Sequence, residues 1–225
     1  MLERRVISTT GAQQMIPETR SSNTVLGSAD QGKLIKATAA FTQTFAAAAT
    51  LGNGWWIIIK NASTDGTTIL TLDPNGAETI DGLTTVKMYS GETRLIECDG
   101  TNFISQILQG GFALFTASGN FTVPPGVASV WIDAIGAGGG GGAGQSGGGG
   151  TIRKGGAGGG GGARIQAGFP GSALGAPGTN IAVTISAGGG GGTPGGGGAS
   201  VTGTKFGTLL TIGGGGGGAG GNSTS

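Results

Sequence analysis

Runs of five and six consecutive glycines in the second half of the chain restrict its folding more than anything else in it. Glycine occurs 55 times in 225 residues, against a usual share of about 7%. Residues 1–135 hold 14 of them and residues 136–225 the other 41. Ordering glycine costs more backbone entropy than ordering any other residue, so each run is either left as coil or held firmly by neighbours. Collagen is excluded, because it needs Gly at every third place with Pro-rich intervening positions, and the chain has only 7 prolines. A nucleotide loop is disfavoured too. Gly136-Ala137-Gly138-Gly139-Gly140-Gly141 follows the strand-like VASVWIDAIG and fits G-x-G-x-x-G literally. That motif works only where a helix follows to meet the pyrophosphate, and here more glycine follows. Flexible linkers are a third choice, but linkers do not usually recur between well-formed strands or so largely exclude Ser and charge. The fourth is a set of packed polyproline-II-type helices. These have three residues per turn and no internal hydrogen bonds, so they must bond to one another, and close approach selects residues without a Cβ. Packed helices are the expectation, with coil as the standing alternative.

The rest of the chain reads as β. Residues 1–24 are polar and without sustained period, and are expected to form an extended attachment arm, with a frayed terminus as the equal alternative. Residues 25–110 alternate short apolar runs with turn signals. WWIIIK (55–60), TTILTLD (67–73), TTVKMYS (84–90), TRLIECD (93–99) and TNFISQIL (101–108) are the strand candidates. Asp73-Pro74-Asn75-Gly76, Asp81-Gly82 and Asp99-Gly100 are the turns. The stretch 38–51 is ambiguous: four alanines allow a helical turn, but the flanking Thr and Phe favour a strand, which is the expectation. Residues 111–225 open with a strand pair, FALFTASGNFTV and VASVWIDAIG, about a turn at Pro124-Pro125-Gly126. Along the second strand Val127, Ser129, Trp131 and Asp133 share one face. Strands ARIQA (163–167), NIAVTISA (180–187) and ASVTGTKFGTLLTI (199–212) then alternate with glycine. The fold expected is all-β: a small β-sandwich or barrel-like module, then a strand scaffold interleaved with glycine-rich polyproline-II-type helices.

Composition also bears on function. Charged residues are 10% of the chain and the net charge is +1, so no strong field would draw nucleic acid or anionic lipid. No histidine is present, and Cys98 is the only cysteine. It can form no intrachain disulfide and no metal site alone. Neither a signal peptide nor an apolar membrane-spanning run is read in the sequence. Acid–base chemistry would fall to carboxylates, Lys, Tyr89 or Cys98. Asp65, Asp73, Asp81 and Asp99 sit at turn positions, where capping explains them. Cys98 is expected to be a small packed residue. Of the adjacent Trp55 and Trp56, one is expected in the core and the other against a neighbouring subunit. No cofactor and no metal are expected.

Two stretches resemble known families. NFTVPPGVASVWIDAIGAGGGGGAG, ARIQA, PGTNIAVTISAGGGGG and FGTLLTIGGGGGGAGG, within 119–221, resemble the glycine-rich domain of phage tail fibres and related adhesins. The tracts also resemble those of polyglycine-helix adhesins at the fibre tips of T-even-like phages. The phrases GKLI, LGNGWWIIIKNAS, GAETIDG and CDGTNFIS, within 26–105, resemble a small β-module of tail fibres and tailspikes, whose members commonly form trimers. The resemblance implies a homotrimeric, non-enzymatic virion component that adheres to a bacterial surface glycan or protein. It would be made in the host cytoplasm and docked to other fibre or baseplate proteins through its arm. A purely structural fibre piece is the alternative, and a polysaccharide depolymerase a further one. In such adhesins the loops between glycine helices contact the receptor. The corresponding residues here are Gln145, Arg153, Lys154, Phe169, Leu174, Lys205 and Phe206, with Ser146, Thr193 and Pro194 among the same loop breaks. Virion attachment is expected at Arg4, Arg5, Val6 and Ile7.

Overall fold

The computed structural model describes residue 15 and residues 17–147 and 153–221. Its regular structure is almost entirely β-strand, and the chain divides into two compact units, 1–112 and 113–225.

The first unit contains two sheets. Strands β1 (Pro17–Arg20), β2 (Leu34–Ala37), β4 (Trp56–Asn61), β7 (Thr93–Cys98) and β8 (Phe103–Gln109) lie side by side in that order. Strands β3 (Thr42–Thr44), β5 (Leu70–Asp73) and β6 (Val86–Met88) form the second sheet. Alternation along each strand sends Ile35, Ile57, Ile59, Leu70, Leu72, Val86, Met88 and Ile96 into one core. Phe45, Trp55 and Phe103 close it as an aromatic cluster with centroids 5.1 to 6.3 Å apart. Trp55 donates from Nε1 to the Gly27 carbonyl and is buried, while its neighbour Trp56 is half-buried on the opposite face. Cys98 is fully buried, as expected of a packing residue.

Two expectations for this unit are corrected. The arm does not extend to residue 24, because β1 is an integral edge strand paired in parallel with β2. Arg20 anchors it, donating to Asp30 Oδ1 (2.9 Å), to Glu18 and to the Thr24 carbonyl from an almost buried position. The stretch 38–51 is not one strand. After β3 the alanines form a single helical turn, α1 (Ala48–Leu51), whose Ala48 N–H is capped by Glu78 Oε1 at 2.9 Å. The cap satisfies one free N–H of the turn, and Gly52 (φ +83°) ends it.

The second unit holds strands β9 (Gly119–Thr122), β10 (Ser129–Ile135), β11 (Arg164–Pro170), β12 (Asn180–Thr184), β13 (Thr204–Phe206) and β14 (Leu210–Ile212). The strand pair expected to open it does not form. Strand β9 pairs with β12, in a sheet of order β14-β13-β12-β9, whereas β10 pairs with β11. Pro124 and Pro125 have no N–H to continue a ladder. Val123 instead exchanges hydrogen bonds with Thr179 and Gly178, and the chain passes to the other sheet. Both sheets contribute to one core of Val123, Leu174, Ile181, Val183 and Phe206, with Val130, Ile132 and Phe169 packed against it.

Between the strands run five glycine tracts, at 136–145, 154–163, 186–195, 196–201 and 213–221. Their hydrogen bonds advance in steps of three residues. Gly136, Gly139, Gly142 and Gln145 donate to the carbonyls of Ala163, Gly160, Ala157 and Lys154 at 2.7 to 3.1 Å. Ala157, Gly160 and Ala163 donate onward to Ala219, Gly216 and Gly213. Gly215, Gly218 and Gly221 return to Ala137, Gly140 and Ala143, closing a triangle of tracts. On the other side Gly189, Gly192 and Gly195 donate to Gly138, Gly141 and Gly144, and Gly140 and Ala143 donate to Ala199 and Gly196. The first tract therefore lies at the centre of the other four. These bonds also continue the strands: β10 leads directly into the first tract, and the second tract leads directly into β11.

Candidate receptor-binding surfaces

The tract ladders decide which of the expected contact residues meet. At the end of the first tract Gln145 N–H donates to the Lys154 carbonyl (3.1 Å), Gly195 N–H to Gly144 (3.0 Å) and Gly221 N–H to Ala143 (3.0 Å). The turn Thr193-Pro194-Gly195 reverses the chain there, with Gly195 at φ +76° and Gly196 N–H returning to the Thr193 carbonyl. This tip thus gathers Gln145, Arg153, Lys154, Thr193 and Pro194. Arg153 and Lys154 are exposed, and the Arg153 guanidinium donates to the Gly147 carbonyl. Gln145 is half-buried, and among the described residues its enclosed Oε1 has no hydrogen-bond partner. No acidic side chain follows Asp133 in the sequence.

The other expected contacts lie elsewhere. Leu174 and Phe206, 2% and 8% exposed, are core residues. Their apolar side chains complete the cluster beneath the two sheets and are not surface contacts. Phe169 is half-buried on the inner face of β11, opposite Val130. Lys205 is exposed on β13, opposite Thr184 and Thr211. Phe169 and Lys205 are separated from the tip by the length of the tracts. Arg4, Arg5, Val6 and Ile7 lie outside the described residues.

A second surface depends on a pairing that the sequence does not announce. Strands β10 and β11 are antiparallel over seven residues, with Trp131 opposite Gly168, Asp133 opposite Gln166 and Ile135 opposite Arg164. Their outer face is open: Trp131 is 70% and Ile135 66% exposed. A Cβ on Gly168 would stand 3.2 Å from Cε3 of Trp131, so the indole lies over bare backbone. Beside it Arg164 Nε donates to Asp133 Oδ1 at 2.9 Å, and Gln166 Nε2 to Asp133 Oδ2 at 3.1 Å. The Arg164 guanidinium, then the Gln166 amide, hold the Asp133 carboxyl down to about 2. Trp131 and Asp133 share a face as expected from alternation. The two partners on β11 were hidden, although Arg164, Gln166 and Gly168 alternate in the same way.

Three of the four turn carboxylates considered for catalysis accept backbone N–H groups, two of them within their own turns and Asp81 from the neighbouring strand β8. Asp65 accepts the Thr67 and Thr68 N–H groups, Asp99 those of Thr101 and Asn102, and Asp81 the Ser105 N–H and hydroxyl. Glu92 is buried against Arg94 at 2.6 Å and accepts the Tyr89 N–H. An open depression of about 270 Å³ lies beside Leu174, Asn180, Ile181 and Thr208 and is lined by no charged side chain. No family model, no curated protein and no solved structure matches the chain.

Proposed function

We propose that this chain is an adhesive, non-enzymatic component of a bacteriophage tail fibre, carrying host-contacting groups at the far end of a rigid glycine bundle. The observation that carries this reading is the three-residue hydrogen-bond period linking all five tracts. A three-residue repeat with lateral bonds is the signature of polyproline-II-type helices, whose N–H and C=O groups find partners only in neighbours. Among the described residues Gly195 is the only tract glycine in the left-handed region, which leaves the other tract glycines compatible with that conformation. Nine residues of such a helix extend about 28 Å at about 3.1 Å each. The tip bearing Gln145, Arg153, Lys154, Thr193 and Pro194 would thus stand well clear of the strands. Loops positioned by a stiff scaffold are suited to recognition, and the basic pair suits phosphate or acidic sugars of a bacterial envelope.

In this reading the β-rich first unit assembles as a homotrimer in which Trp56 meets a neighbouring subunit. Arg4, Arg5, Val6 and Ile7 dock to other fibre or baseplate proteins. Occupation of Asp65, Asp81 and Asp99 by backbone N–H groups supports adhesion without hydrolysis. The test is binding of the labelled, purified full chain to susceptible and receptor-deficient bacteria, with its mass measured in the same preparation. Trimers that stain susceptible cells alone are expected. Trimers that stain neither would favour a purely structural fibre piece, and release of reducing ends from capsule would reveal a depolymerase.

A further inference from the structure

We propose that the outer face of β10 and β11 is a binding site for an uncharged hexopyranose, stacked on Trp131 and hydrogen-bonded by Asp133, Gln166 and Arg164. This deepens the adhesion reading and rests on it for the source of the sugar, a surface polysaccharide. The indole lies across Gly168 and is 70% exposed, so a large apolar plane is presented at little conformational cost. Such a plane complements the C–H face of a pyranose ring. One row along the same face, about 7 Å away, Asp133, Gln166 and Arg164 offer acceptors and donors already fixed by their mutual hydrogen bonds.

Charge selects the ligand. Asp133 and Arg164 neutralise one another, so the row presents polar groups without net charge. A carboxylated or phosphorylated sugar would have to break that pair, whereas hydroxyl groups can accept from guanidinium and amide and donate to carboxylate together. A protein partner fits less well, because Asp133 and Arg164, with side chains 40% and 61% exposed, would have to be desolvated beneath it. The inner face of the same strands, through Val130, Ile132 and Phe169, packs on the core and keeps the outer row in place.

Saturation-transfer NMR of the full chain with methyl glycosides of glucose, galactose, mannose and N-acetylglucosamine tests this. At least one is expected to receive transfer, weakened about ten-fold or more in Trp131→Ala and partly retained in Trp131→Phe. Gln166→Ala should weaken it as well. No transfer from any of the four, or equal transfer with Trp131→Ala, would overturn the site. A fall in oligomer mass on Trp131→Ala would overturn it in favour of contact between copies. Staining of bacteria by the same proteins separates the two readings. Cells stained equally by wild type and Trp131→Ala would leave adhesion intact without this site. Sugar transfer lost in Trp131→Ala, with no cell stained by either protein, would leave the site intact and overturn adhesion.

Discussion

Gly139 packs against Gly216 so closely that a Cβ on Gly139 would overlap the Gly216 carbonyl oxygen. Gly136 and Gly142, three residues to either side, meet Gly213 and Ala219 in the same way. The second tract repeats the pattern, with Gly156, Gly159 and Gly162 against the first tract's backbone, while Gly155, Gly158 and Gly161 face open space. Glycine is therefore required on the facing rows for close approach, not for a left-handed turn. Gly139→Ala or Gly142→Ala should cost about 1–3 kcal/mol by overpacking. Gly158→Ala or Gly161→Ala should be neutral or stabilising by about 0.4–1 kcal/mol, through a less disordered unfolded chain. Thermal unfolding of the four variants checks this, at roughly 4 °C per kcal/mol for a unit of this size. Equal shifts in both pairs would contradict the packed rows.

The N-terminal edge strand should be acid-labile. Burial acts to raise the Asp30 pKa, but the Gly27 N–H, Lys33 and Arg20 together outweigh it and the pKa is lowered. A lowered carboxylate contributes stability that is present above its unfolded pKa and is lost as pH falls through the folded one. Asp30→Asn should thus cost about 2 kcal/mol at pH 7. The deficit should close as pH falls below the ordinary carboxylate range, where wild-type Asp30 is itself neutral. Urea unfolding of both proteins at pH 7 and in acid measures the gap, and a gap independent of pH would show that the ion pairs contribute little.

Strand periodicity and turn chemistry were legible in the sequence wherever neighbours in the chain decide the outcome. Gly76, Gly82, Gly100 and Gly126 each take the positive φ that their turn signals imply, and Val86 and Met88 point inward as strand alternation suggests, although Tyr89, which that alternation sets on the other face, is buried as well. What stayed hidden was decided by distant partners. The sequence ARIQA alone does not say that Arg164 will reach Asp133, because a loop of glycine tracts separates them. Nor does it reveal that Leu174 and Phe206, which punctuate glycine like the tip residues, fill a core. Alanine at 47–49 was torn between strand and helix, and a single carboxylate, Glu78, tips it to the helical turn.

Cys98 offers a reporter on the first unit alone. Its thiol is fully buried, approaches the Ala48 carbonyl at 3.5 Å and accepts the Gly100 N–H at 3.3 Å, and burial pushes its pKa up. Native protein should therefore react with Ellman's reagent far more slowly than a free thiol and become fully reactive when this unit opens. Gly139→Ala, whose damage lies in the second unit, should leave the native labelling rate unchanged. A faster rate in that variant would mean that the two units unfold together.

Arg153 and Lys154 should contribute to adhesion without contributing to stability. Both side chains are exposed at the tip: the Arg153 guanidinium donates to the Gly147 carbonyl in an exposed bond, and the Lys154 main-chain carbonyl accepts from Gln145. The double variant Arg153→Ala, Lys154→Ala should unfold within about 0.5 kcal/mol of wild type, as surface substitutions usually do. Its binding to susceptible cells should fall, and the loss should be largest at low ionic strength, where exposed charges are least screened. Raising the salt should bring wild type and variant together, whereas a deficit that persists in high salt would place the interaction in contacts other than charge. Cell binding across a salt series separates these outcomes. An unchanged affinity throughout would remove the basic pair from the contact surface and leave Thr193, Pro194 and Gln145 as the tip residues to substitute next.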